Sequence, residues 1–202
     1  MVGGEMVKQR CSWAEANDEM KHYHDTVWGV PIHNDQRLFR KLILDIHQAG
    51  LSWQTILNKE GHFDEAFDYF DIKKVAAYDE KKVEELLDNP GIIRNRRKIE
   101  ATIHNAQKVI EIQNEFETFS NYLWAFNNHS VLKNSYHDQI DIPTTNDLSD
   151  RITGDLKKRG FKFVGSTIIY AFLEAVGVIN DHVTSCFRYE NSTHILDEDG
   201  TK

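Results

Sequence analysis

The sequence predicts an all-α fold of roughly eight to ten helices, and three observations carry that expectation. Helix breakers are scarce: 202 residues hold only Pro31, Pro90 and Pro143, with 11 glycines, so long stretches can keep their backbone hydrogen bonds. Apolar residues recur at spacings of three and four in many segments. Strictly alternating strand patterns are few. With 40% apolar and 28% charged residues, a chain of this length can bury a large core in one domain or in two lobes sharing a cleft. No apolar run approaches the ~20 residues of a membrane span. The start of the chain shows no basic flank followed by an apolar stretch, so no secretory signal is expected. Two cysteines, Cys11 and Cys186, exclude a disulfide framework.

The elements follow in order. Leu38, Leu42, Ile43 and Ile46 form the stripe of one helix. Val75, Val83, Leu86 and Leu87 indicate two short helices with a break near Tyr78-Asp79. Ile99, Ile103, Ala106, Val109 and Ile110 mark a longer helix, and Lys162 to Val178 reads as a buried helix. The expected domain spans residues 8–188, with 1–7 and 189–202 as polar tails. Within it, residues near 70–160 are expected on one side and both chain ends together on the other.

Net charge is −8, which on average argues against a nucleic-acid partner. The distribution argues otherwise. Gly91 to Val109 carries +4, from Arg94, Arg96, Arg97, Lys98 and Lys108 against Glu100, and Arg151 to Gly165 carries another +4. The first of these runs follows Pro90-Gly91-Ile92-Ile93, which should end one helix and open the next near Arg94. A helix start with free N–H groups and nearby cations suits a phosphate. Ordinary helix turns look similar, and a basic run is most often a solvated face.

Cys11 and His24 lie near one end of the chain. His182 and Cys186, four apart, would share a helix face near the other. A Cys2His2 set suits tetrahedral zinc and would leave no open position. Spacing alone leaves this undecided, because a lone cysteine is commonly a small core residue and ten histidines make chance pairings common. Trp13, Tyr23, Trp28 and Trp53 cluster in the first 53 residues, as core or as ring faces for a flat or cationic ligand. Asp45 interrupts the apolar helix stripe and must be paired or face a cavity.

Several ordered stretches carry a resemblance: Cys11-Ser-Trp13, Tyr23-His-Asp-Thr-Val-Trp-Gly-Val-Pro31, Gln48-Ala-Gly-Leu-Ser-Trp53, Gly91-Ile-Ile-Arg-Asn-Arg96 with Lys98-Ile99, Lys158-Arg-Gly-Phe-Lys-Phe-Val-Gly165 and Asn180-Asp-His182. Through these the chain resembles the bacterial 3-methyladenine DNA glycosylase I family, within the helix-hairpin-helix DNA glycosylases. The resemblance implies two helical lobes around a cleft, and one structural zinc on Cys11, His24, His182 and Cys186 that joins the N- and C-terminal segments. It implies a base pocket of Trp13, Tyr23, Trp28 and Trp53, with His47 beside it, and Asp45 as the catalytic carboxylate. It implies DNA contacts from Gly50, Leu51, Gly91, Ile93, Arg94, Lys98 and Lys162. The implied activity is base-excision repair: hydrolytic, monofunctional release of 3-methyladenine from alkylated double-stranded DNA by a monomer in the bacterial cytoplasm, with no membrane partner.

The chain departs from the family where it matters for selectivity. Asp45 stands where the family has Glu, one methylene shorter. Ile46 and His47 stand where a small residue and then Phe or Gln are more common, and Met20 where an aromatic is common. The competing expectation is therefore a zinc-stapled protein that binds DNA or damaged bases with altered or lost cleavage.

Overall fold

The structure, a computed structural model, describes residues 8–191. The expected tails at 1–7 and 192–202 lie outside the described residues. Tyr189, Glu190 and Asn191, also assigned to a tail, instead belong to a short helix. The helices are α1 (Asp18–Thr26), α2 (Asp35–Gln48), α3 (Trp53–Leu57), α4 (Glu60–Ala66), α5 (Ile72–Ala76), α6 (Glu80–Asp88), α7 (Arg96–Phe116), α8 (Phe119–Ala125), α9 (Asp147–Lys158), α10 (Ser166–Ala175) and α11 (Arg188–Asn191). The all-α expectation holds, with one addition. Strands β1 (Leu132–Lys133) and β2 (Ile179–Asn180) pair in parallel. Two residues per strand are too few for alternation to show in sequence.

Local chemistry sets the helix starts. Asn34 caps α2 by accepting the Arg37 N–H at 3.0 Å, and Asp79 caps α6 through Lys82 N at 3.0 Å, which produces the break expected there. Asn95 caps α7, so this helix opens at Arg96 and Arg94 stays outside it. The expected helix over 162–178 is shorter. Residues 162–165 form a loop in which Phe163 adopts φ +57°, and α10 begins at Ser166.

The chain forms two compact units. A terminal unit combines the segment up to Pro31, Val131–Pro143 and the segment from Glu174 onward. A central unit combines Ile32–Ser130 and Thr144–Leu173. The chain ends do come together, but the central unit begins far earlier than residue 70. Its spine is α2, whose Leu38, Phe39, Leu42, Ile43, Leu44 and Ile46 are fully buried, each contributing about 1.5–3 kcal/mol by leaving water. Helix α7 packs on α2, α5, α6 and α8.

Asp35, in the first turn of α2, reaches across this unit. Its carboxylate accepts from Phe119 N at 2.8 Å, Ser120 N at 2.9 Å and Gln113 Nε2 at 2.7 Å, and so satisfies the amides that open α8. Asp35→Ala is expected to cost about 2–3 kcal/mol, read as a lowered midpoint in chemical denaturation. An unchanged midpoint would show that these amides find other partners.

Candidate functional site

In the terminal unit, Cys11, His24, His182 and Cys186 converge and are all buried. Their donor atoms lie within 4.8 Å of one another. Cys186 Sγ is 3.4 Å from His24 Nε2 and 3.6 Å from His182 Nδ1, and Cys11 Sγ is 3.6 Å from His182 Nδ1. A tetrahedral ion with sulfur at about 2.3 Å and nitrogen at about 2.05 Å separates such atoms by about 3.6 Å, so the set has the dimensions of a metal centre. The surroundings agree. His24 Nδ1 sits 2.9 Å from Asp25 Oδ1, which fixes the proton there and leaves Nε2 as the donor. The backbone N–H of Arg188 points at Cys186 Sγ at 3.4 Å. Hydrogen bonding with Cys11, His182 and His24 pulls the Cys186 thiol well below its ordinary range. Gly29, with φ +77°, lies so close to His182 that a Cβ would stand 2.9 Å from its Nε2, which explains the glycine after Trp28.

Three of the four expected pocket aromatics surround this cluster. Trp13 packs edge-on against Trp28 at 5.1 Å and against His24 at 5.3 Å, with Tyr23 6.2 Å away. Trp28 in turn meets His182 edge-on at 4.6 Å. The two imidazoles therefore brace the tryptophans, and a metal held by those rings would also fix the aromatic faces.

The fourth, Trp53, belongs to the central unit with Asp45. Asp45 is almost fully buried on α2. Its Oδ1 pairs with the Lys41 ammonium one turn earlier, while Oδ2 has no partner. Burial raises the Asp45 carboxyl above its ordinary value, against the pull of Lys41. Lys41 Nζ also stands over the Trp53 ring, 3.8 Å from its centroid. Nearby, Arg40 grips Asp64 through two hydrogen bonds of 2.6 and 3.0 Å and lies 3.6 Å from Glu60. A cavity of about 230 Å³ adjoins Asp45, lined also by Gln48, Ala49, Gly50, Leu51, Thr167, Ile168 and Ala171. Lys41 was not singled out in the sequence. The available signal was its place four residues before Asp45 on the same helix face.

His47 takes a different place from the one expected. It is fully buried, 5.0 Å from Phe63 and 5.9 Å from Phe67, ring centre to ring centre. The Thr102 hydroxyl donates to Lys98 O at 2.9 Å, so it accepts from His47 Nε2 at 3.2 Å. Burial, with the Lys98 charge nearby, pushes the imidazole down to about 3. His47 is a neutral core residue and does not line the cavity beside Asp45.

Lys98 also departs from the expectation of a backbone grip. It is buried, and its Nζ donates to His47 O at 2.9 Å and Ala49 O at 2.8 Å. A cation thus closes the carbonyl end of α2 and anchors the turn that follows. There Gly50 adopts φ +84° with open space around it, and Leu51 is 42% exposed. Gly50 and Leu51, expected as DNA contacts, form an exposed turn between α2 and α3.

The hairpin between α6 and α7 is held from within. Gly91 N–H donates to Asn89 Oδ1 at 2.8 Å, and Lys59 Nζ binds the Pro90 and Gly91 carbonyls at 3.0 and 3.3 Å. Ile92 is buried, Ile93 half-buried and Arg94 exposed. Arg96 is committed to Glu80, Glu84 and Glu100. Lys162 is exposed on the 162–165 loop. Asn105 clamps its backbone by accepting the Lys162 N–H at 2.8 Å and donating to Lys162 O at 3.0 Å. Arg97 stands 5.8 Å from the ring of Phe163 beside a shallow cavity of about 420 Å³.

Comparison with known proteins gives a consistent result. The profile of the methyladenine glycosylase family matches residues 13–189. The chain is 42% identical to the DNA-3-methyladenine glycosylase 1 of Escherichia coli (strain K12) over 181 residues, which is 90% of this chain and 97% of that protein. It is 39% identical to the DNA-3-methyladenine glycosylase of Haemophilus influenzae over 177 residues, 88% and 96% of the two chains. A crystal structure of 3-methyladenine DNA glycosylase I superposes with a TM-score of 0.86 at 42% identity, covering 89% of this chain and 98% of that one. The Staphylococcus aureus 3-methyladenine DNA glycosylase I, from work on its recognition of 3-methyladenine, gives 0.86 at 34% identity, covering 93% and 98%.

The position of Lys98 generates a test. Lys98→Met removes both donors from the end of α2 and is expected to cost about 1.5–3 kcal/mol. Amide exchange at Gly50 and Leu51 should quicken more than at the centre of α7. Uniform exchange changes would show that Lys98 does not anchor the turn.

Proposed function

We infer the function from one premise: this chain belongs to the methyladenine glycosylase family. It is a DNA glycosylase that removes 3-methyladenine, an N-glycosyl hydrolase of DNA repair. The observation that carries this is 42% identity across 97% of the E. coli enzyme. Its substrate is alkylated double-stranded DNA and its product the free base. It acts as a monomer in the bacterial cytoplasm and is monofunctional, with water completing the hydrolysis. Among the described residues no helix is long and apolar enough to cross a membrane.

An adenine methylated at N3 is cationic, so its bond to deoxyribose is already weak. The protein's task is to extract the nucleotide from the stack and hold the base. Leu51 on its projecting turn fills the space left in the duplex, with Gly50 allowing the turn. Trp13, Tyr23, Trp28 and Trp53 offer ring faces to the cationic purine, an attraction on the order of 1–2 kcal/mol each when desolvated. Asp45 is the catalytic carboxylate. Its unpartnered Oδ2 accepts from the purine edge and balances its charge. Ile92 seats the hairpin, while Gly91, Ile93, Arg94 and Lys162 meet the DNA backbone without reading bases.

The metal is a single zinc. Cys11, His24, His182 and Cys186 supply two thiolates and two imidazoles, the donor set zinc favours, and four protein ligands leave no place for a substrate. Its contribution is structural: it ties the segment of Cys11 and His24 to that of His182 and Cys186.

Purified protein is expected to release 3-methyladenine from alkylated DNA. Intact duplex binding with no release at any pH would favour the alternative, a damaged-base binder in which Asp45 no longer supports cleavage. Asp45→Asn is expected to slow release on the order of a hundredfold with duplex affinity kept, and equal losses in both would assign Asp45 a structural role. Cys186→Ala should lower zinc content and depress the melting temperature by about 10 °C or more, since metal binding is folding free energy. Unchanged zinc content would refute the ligand set.

A further inference from the structure

The Lys41 ammonium makes the two contacts that a cationic base would make in the central unit: it pairs with the Asp45 carboxylate and lies over the Trp53 ring at 3.8 Å. The geometry points to Lys41 as a specificity-determining residue, a resident cation that occupies the charge site of the base pocket and weakens its preference for cationic over neutral bases. This rests on the proposed roles of Asp45 and Trp53 in base binding.

The placement is built in. Lys41 and Asp45 lie one turn apart on α2, 7% and 4% exposed, so their side chains face the same way. A lysine here leaves water only because a carboxylate and an aromatic face receive it. Asp45 Oδ1 is thereby used, and Oδ2 is the buried oxygen left without a partner, on a residue that lines the 230 Å³ cavity. The other charges around the pair are Glu60, Asp64 and Arg40. With Lys41 protonated the group totals −1, and without it −2. A cationic base entering this field meets like charge at the ring face that should attract it. A neutral base meets instead an ammonium with N–H groups to offer a ring nitrogen. Removing the charge at this distance changes the balance between the two by at least tenfold at an effective dielectric near 20.

The test compares two probes on the full chain: free 3-methyladenine, which is neutral, and the 3,9-dimethyladeninium cation, each titrated against tryptophan fluorescence. Lys41→Met removes the charge and keeps the volume. Lys41→Gln removes the charge and keeps a donor for Asp45, should a bare carboxylate prevent folding. In the folded variants the affinity ratio of cation to neutral base is expected to rise about tenfold over wild type. A rise below threefold, or a fall, overturns the proposal while leaving the glycosylase reading intact. Absence of binding by either probe to wild type, together with no release of 3-methyladenine from alkylated DNA, refutes that reading and this inference with it. A loss of affinity for both probes in equal proportion would make Lys41 merely structural.

Discussion

A carboxylate set into an apolar helix face must find a cation or a proton, and the central unit is arranged around how α2 meets that demand for Asp45. Six apolar residues of the helix are sealed in the core, so the acid cannot turn to water without unseating them. The helix supplies its own cation, Lys41, one turn earlier. Lys41 in turn needs a surface that tolerates an ammonium out of water, and Trp53, at the start of the next helix, provides it. The Gly50-Leu51 turn between the helices is therefore pinned on both sides, by the Lys41–Trp53 contact after it and by Lys98 on the carbonyls before it. A projecting leucine can be held out in solvent because the chain on either side of it is anchored.

The terminal unit solves a similar problem with different chemistry. It has fewer long helices to hold it, and its segments come from distant parts of the chain. Four donor atoms at metal-centre spacing give those segments a common point, and the same imidazole rings serve as packing partners for Trp13 and Trp28. Aromatic faces offered to a ligand lose affinity if they can rotate away. Packing them against His24 and His182 makes their orientation a consequence of the fold.

Much of this was legible in the sequence, and the exceptions share a cause. The α2 stripe, the break between α5 and α6 and the length of α7 are periodic features, and periodicity reports which side of a helix is buried. The Cys2His2 set needed the motif resemblance, because spacing alone cannot bring residues 11 and 186 together. What sequence could not supply was the direction of long polar side chains. Lys98, in a basic run, looked like a phosphate contact but turns inward to close α2. Arg96, in the same run, is spent on three glutamates. His47 looked like a pocket residue beside Asp45, yet two helical steps of about 100° each carry it to the other side of α2, against Phe63 and Phe67. The expected helix from 162 failed at Phe163, whose left-handed backbone depends on the Asn105 clamp from another helix.

The same distinction changes what the net charge of −8 means for a partner with a phosphate backbone. The basic segments total many cations, but several are already neutralised within the fold: Arg96, Lys108 and Arg159 each hold glutamates, and Lys98 holds carbonyls. Among the described residues of these two segments, Arg94, Arg97, Arg151, Lys157, Lys158 and Lys162 hold no ion pair, whereas Arg96, Lys108 and Arg159 do. The dependence of affinity on salt scales with the number of phosphates neutralised. A protein that neutralises part of its basic segments internally and is acidic elsewhere draws less of its affinity from long-range attraction than its cation count suggests. On the proposed function, short-range contacts supply the rest: the hairpin seated by Ile92, Leu51 in the stack and the base against aromatic rings. These contacts form only where a nucleotide can leave the duplex. On that reading, discrimination in favour of damaged sites rests on these contacts more than on the net charge.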